Sequence, residues 1–96
     1  MLKEPLSPDA ATALIHAIAR DGHIAWRDHA FREMAADNLE TLDCMNVLRA
    51  GAVREPADLE KGTWRYRVHT NRLCVVVAFR SETELTVVTT WRKKQR

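Results

Sequence analysis

The sequence predicts an α+β fold, with N-terminal helices packed on a three- to four-stranded antiparallel sheet. Two observations carry this. Before residue 50, apolar residues recur at helical spacing: Ala11, Leu14, Ile15 and Ile18, then Leu39, Leu42, Met45 and Leu48. After residue 60 the period changes to two in TWRYRVH, and apolar runs follow in LCVVVAF and LTVVTTW. A chain of 96 residues has length for one hydrophobic core, so residues 1–96 form one expected domain.

The first helix is expected over residues 8 to 20. Ser7 suits its N-cap, Pro8 its first position and Asp9 its positive end. The Asp-Gly pair at 21–22 ends it. HIAWRDH then reads as a short extended segment, and Asp28 can cap a second helix, HAFREMAA, with His29 in its first turn. Asp37 and Glu40 resemble a capping box for a third helix that Gly51 stops. AVREPADLEKG starts extended near Val53 and becomes a polar loop around Pro56. TWRYRVH alternates strictly, with Trp64, Tyr66 and Val68 on one face and Arg65, Arg67 and His69 on the other. Thr70 and Asn71 offer a turn, LCVVVAF a strand buried on both faces, SETE a second turn, and residues 85–91 a last strand before the basic tail RKKQR.

Charge is unevenly spread. Residues 1–48 contain 4 Lys/Arg and 8 Asp/Glu, a formal −4, whereas residues 49–96 contain 11 and 5, a formal +6. A basic surface on the C-terminal half suits a polyanionic partner. The N-terminus MLKEPLSPD has no apolar core of a secretory signal, and no run approaches the ~20 apolar residues of a membrane span. Cys44 and Cys74 form no CxxC and sit among apolar residues, as buried thiols of a reducing cytoplasm do.

Three groups of residues could carry chemistry. Arg65, Arg67 and His69 recur about 7 Å apart along one strand face, a spacing that suits successive phosphates of a single strand. The same row also suits a solvated sheet surface. His29 stands beside Arg27, Asp28 and Arg32, where an imidazole serves either as a general acid/base or as a hydrogen bond that fixes the corner. Trp91, Arg92 and Lys93 join an aromatic ring to positive charge, a combination that can stack on and clamp a nucleic acid. His16, His23, His29 and His69 show no HxxxH pairing, and the chain lacks GxxxxGK[ST], GxGxxG and GxSxG. Neither a metal nor a cofactor is expected.

The order of signals matters as much as the signals. RDGHI, WRDHAFREM, VLRAGAVREP, GTWRYRV, LCVVVAF and LTVVTTWR follow one another over residues 10 to 92. This series resembles the bacterial DUF4258 family, whose pattern runs from an extended segment into an HA…M helix, a VLxxGxV helix end and the strands wryrv, lxVVv and vVTv. The family is grouped with RelE/ParE-like toxins and is similar to the BrnT and MqsR types. The resemblance implies helices on an antiparallel sheet, metal-free RNA cleavage, RNA as a partner and a cognate antitoxin. It carries the family histidine onto His29, the strand bases onto Arg65 and Arg67, and the C-terminal residues onto Thr89 and Arg92. Where the family often has Arg four residues after the histidine, this chain has Glu33, with Arg32 one position earlier.

The leading expectation is therefore a small cytoplasmic RelE-like protein that binds RNA and cleaves it. His29 or His69 would be the acid/base, Arg32, Arg65 and Arg67 would contact phosphate, and Arg27, Trp91, Arg92 and Lys93 would extend the binding surface. A non-catalytic module that binds a protein or a nucleic acid is the rival. The oligomeric state is left open.

Overall fold

The computed structural model describes residues 2–94 and holds three helices against one face of an open, six-stranded sheet. Helix α1 spans Pro8–Asp21, capped by Ser7 Oγ, which accepts from the Ala10 N–H at 3.2 Å. Strand β1 (His23–Trp26) leads into α2 (Asp28–Ala36) and α3 (Thr41–Ala50). Five more strands follow: β2 (Ala52–Val53), β3 (Asp58–Glu60), β4 (Thr63–His69), β5 (Leu73–Phe79) and β6 (Glu84–Arg92). The sheet order is β1-β6-β5-β4-β2, with β3 also paired to β4.

The expected meander of β4, β5 and β6 is present, and two features enlarge it. First, β1 adds to the far edge parallel to β6, with Ile24 opposite Leu85 and Trp26 opposite Val87. Second, the segment expected as a polar loop contains β3, which pairs Asp58 with Arg65 and Glu60 with Thr63. Lys61 and Gly62, at φ 50° and 80°, form the two-residue turn between β3 and β4, a left-handed conformation that favours glycine. Pro56 lies between β2 and β3, on the outer edge of β4, where a residue without an N–H is tolerated.

The helix ends also depart from expectation. Asp37 is the C-cap of α2, and α3 begins after Glu40, whose N–H is bound by Asp43 Oδ2 at 2.8 Å. The start of α2 is capped by Arg27 without a side-chain bond, so Asp28 contributes only through the helix dipole. The buried face of α3 is Cys44, Val47 and Leu48, while Leu42 is 60% exposed. A period of three drifts around a helix that turns every 3.6 residues, so a strict i, i+3 series cannot stay on one face. Gly51 is needed for close approach: a Cβ there would lie 2.7 Å from the His69 carbonyl oxygen.

One core holds the layers together. Ala11, Ile15 and Ile18 of α1, Ala30 and Met34 of α2, and the buried residues of α3 meet Tyr66, Val68, Val75, Val77, Phe79, Leu85 and Val87 of the sheet. Burial of each larger side chain stabilises the fold by about 1.5–3 kcal/mol. At one end of the sheet, the Tyr66 hydroxyl accepts from the Leu6 N–H and donates to Glu4, both at 2.9 Å, so the N-terminal segment seals the ring. Tyr66 and Phe79 pack at 5.0 Å between centroids. The opposite face of the sheet carries the small apolar cluster Val76, Ala78 and Val88. No helix among the described residues is long and apolar enough to cross a membrane.

Candidate functional site

The face of the sheet that the helices leave open is built by alternation. Tyr66 and Val68 point into the core, so Arg65, Arg67 and His69 point away from it. On β5 the same parity presents Cys74, Val76 and Ala78. On β6 an irregularity opposite Val76 and Val77 shifts the register, which sets Thr89 beside Val76 and Trp91 beside Cys74. Two rows result, Arg67-Val76-Thr89 and His69-Cys74-Trp91. Arg65, Arg67, Val76, Thr89 and Trp91, with Asp58 and Glu60, line a groove of about 250 Å³.

Every base of this row is held by an acid from the preceding edge segment. Arg65 Nη1 meets Glu60 Oε2 at 2.6 Å, Arg67 Nη2 meets Asp58 Oδ2 at 3.0 Å, and His69 Nε2 lies 2.8 and 2.9 Å from the two Glu55 oxygens. Burial by itself would raise the Glu55 carboxyl. The hydrogen bond and charge of His69, with the charge of Arg67, outweigh it and hold the group below its ordinary value. Three side-chain polar atoms among the described residues are shut from water without a partner: Arg65 Nε, His69 Nδ1 and Thr86 Oγ1. All three belong to the open face, since Thr86 lies opposite Ala78.

Burial sets the state of the two thiols. Both cysteines are free and buried. Burial pushes Cys74 up to about 11, with smaller opposing effects of Lys93 and Glu55. Cys44 is also raised by burial, and its Sγ lies 3.7 Å from Thr90 Oγ1. No group of three His, Cys, Asp or Glu side chains among the described residues could hold a metal ion.

The expected site residues divide into three places. Arg65, Arg67 and His69 share the open face with Thr89 and Trp91, as their spacing predicts. His29 and Arg32 do not join them. Both are exposed on α2, where His29 Nε2 lies 3.6 Å from Glu33 Oε1, so the residue that departs from the family pattern is its partner. Helix α2 packs into the core from the helix-bearing side and follows β1. Three strand spacings, about 14 Å, separate β1 from β4. Arg27 stands at the same corner, its N–H bound to the Val87 carbonyl at 3.1 Å. Beside it, Trp26 stacks on the exposed Phe31 at 6.0 Å, so the aromatic of AWRDHAFREM serves packing.

The third place is the end of β6. The pleat splits Trp91 from Arg92: Trp91 is 37% exposed on the open face, while Arg92 binds Asp37 through its backbone N–H (2.8 Å) and Nη2 (3.2 Å). Lys93 joins the β4–β5 turn, its Nζ donating to the Thr70 carbonyl at 2.8 Å. Residues 95 and 96 of the basic tail lie outside the described residues.

Glu55, Asp58 and Glu60 are the site residues that sequence reasoning missed. The signal was available: Lys61-Gly62 before an alternating strand marks a hairpin, and a hairpin places EPADLE beside TWRYRVH.

The family model described as "Domain of unknown function (DUF4258)" matches residues 26–92. The chain belongs to the DUF4258 family. No curated protein and no solved structure matches it. The match begins at Trp26, so α1 and most of β1 precede the region that defines DUF4258, whereas the whole open-face groove falls inside it.

Proposed function

We propose that this DUF4258 protein binds single-stranded RNA along the open face of its sheet, as a RelE-like, toxin-type protein, and that cleavage there is metal-free acid/base chemistry. The observation that carries the reading is the groove itself, where two arginines, a threonine hydroxyl and a partly exposed tryptophan meet on the face that no helix covers. Arginines on alternate residues of a strand match successive phosphates, and the Trp91 ring offers a stacking platform for a base. Lys93 extends the positive path beyond the groove.

Cleavage asks more of the site. The 2′-oxygen attacks the adjacent phosphorus as a base takes its proton, and the 5′-oxygen leaves with a proton from an acid. His69 is the imidazole in the arginine row, yet its side chain is only 10% exposed and its Nε2 is bound to Glu55. His29 is accessible but has no arginine row beside it. Binding is thus the first claim and cleavage the second.

A protein partner, such as a cognate antitoxin, is the second reading. The apolar floor, the balanced charges and the exposed Trp91 favour it, because interfaces are enriched in tryptophan and arginine. Fluorescence anisotropy with a labelled single-stranded RNA, across a salt series, separates the two. The RNA reading expects binding that weakens with salt, with a log–log slope no steeper than about −2, the value for three phosphates at about 0.7 each. Absence of binding at low salt overturns it. Incubation of the same RNA with EDTA tests cleavage: intact RNA removes the catalytic claim and leaves the binding claim standing.

A further inference from the structure

We propose that the acidic segment from Glu55 to Glu60 is a built-in competitor for RNA, its carboxylates occupying the positions on β4 that phosphates take when RNA binds. The proposal rests on the RNA reading and adds its regulation. Three independent features support it.

The first is register. One segment, EPADLE, holds three acids and no base, and delivers one acid to each basic residue of β4: Glu55 to His69, Asp58 to Arg67 and Glu60 to Arg65. A strand of phosphates laid along β4 meets the same three partners in the same order.

The second is incomplete satisfaction. Glu60 meets Arg65 at Nη1, and Arg65 Nε is shut from water without a partner. His69 Nδ1 is likewise unpartnered. The carboxylate therefore leaves part of a guanidinium that suits bidentate oxygen ligands unfilled, and a phosphate that spans two of its N–H groups makes the better fit.

The third is weak attachment. Strand β3 is three residues long, exposed along its whole length, and separated from β2 by Pro56. Its acids are about half exposed, and ion pairs at such sites contribute little to stability. Displacement is cheap, whereas a phosphate beside an undisplaced carboxylate is repelled.

The experiment compares RNA binding by the wild type, by the Asp58→Asn/Glu60→Gln double variant, and by an Asp9→Asn/Asp21→Asn variant that changes net charge equally on α1. The probe is a labelled single-stranded oligouridylate across a salt series, with melting temperatures measured in parallel. The double variant should bind about fivefold more tightly at low salt. Its log–log salt slope should steepen by about 1.4, since two arginines then exchange bulk ions for phosphates instead of releasing internal carboxylates. The α1 variant should gain less than about twofold. Equal gains in both variants, or no gain in the double variant while the wild type binds, overturn the competitor and leave RNA binding intact. Failure of the wild type to bind at low salt overturns RNA binding and the competitor together. Glu60→Gln alone, with about a threefold gain expected, replaces the double variant if that does not fold.

Discussion

Strand β4 carries two kinds of surface on alternate residues. Tyr66 and Val68 are fully enclosed among the helices, whereas Arg65, Arg67 and His69, one residue away, are tied to acids near solvent. On the core face each contact excludes water and is backed by many others, so removal of one leaves a void. On the open face the Arg67–Asp58 contact is one ion pair whose partners water can solvate almost as well. The same strand therefore combines a face that cannot change partners with one that can, and the second is where ligand binding is economical.

The sharpest way to break this contrast is a core truncation. Leu48→Ala, at a side chain with no exposure, should destabilise the fold by about 2–5 kcal/mol in denaturant unfolding. Arg67→Ala should cost under about 1 kcal/mol in the same assay. Comparable losses would dissolve the distinction between the faces.

Trp91→Ala should weaken single-stranded RNA binding by about 1–3 kcal/mol for each base stacked on it, with little change in melting temperature. An unchanged affinity would remove Trp91 from the surface.

Tyr66→Phe should cost about 1 kcal/mol, because the hydroxyl joins Leu6 and Glu4 to the sheet. Burial, with the hydrogen bond and charge of Glu4 and against the Leu6 N–H, pushes this hydroxyl up to about 12. Its folded value lies above the unfolded one, so the associated stability is complete below pH 10 and is lost as pH rises toward 12. Tyr66 is the only tyrosine, so ultraviolet titration reads it without interference.

The smallest effect belongs to Glu55→Gln. Glu55 has a lowered folded value, so its contribution is present above the ordinary carboxylate range and is lost as pH falls through that lowered value. Melting temperatures of variant and wild type should differ slightly near neutrality and converge in acid. A constant difference would separate Glu55 from the His69 pair.

Much of this was legible in the chain. Ser7, Pro8 and the apolar series of α1 mark a helix because caps and spacing act within one turn. TWRYRVH declares both faces of β4 because the pleat imposes a period of two. LCVVVAF declares a central strand because it can hide both faces. The role of Leu42 was misread because a threefold recurrence imitates a helical stripe over a short span. Strand β3 was missed because three exposed residues carry no apolar signal, although Lys61-Gly62 marked its turn.

Local order thus determined the helices, the central strands and the alternation that turns Arg65, Arg67 and His69 outward, since each depends on residues close in sequence. Only the tertiary structure decided that β1 lies parallel to β6 at the far edge, that His29 meets Glu33 instead of the arginines, and that Glu55, Asp58 and Glu60 hold the basic row. Those outcomes depend on how the helices pack across the sheet and on which edge each strand joins, free-energy differences summed over the whole core that no local stretch of sequence contains.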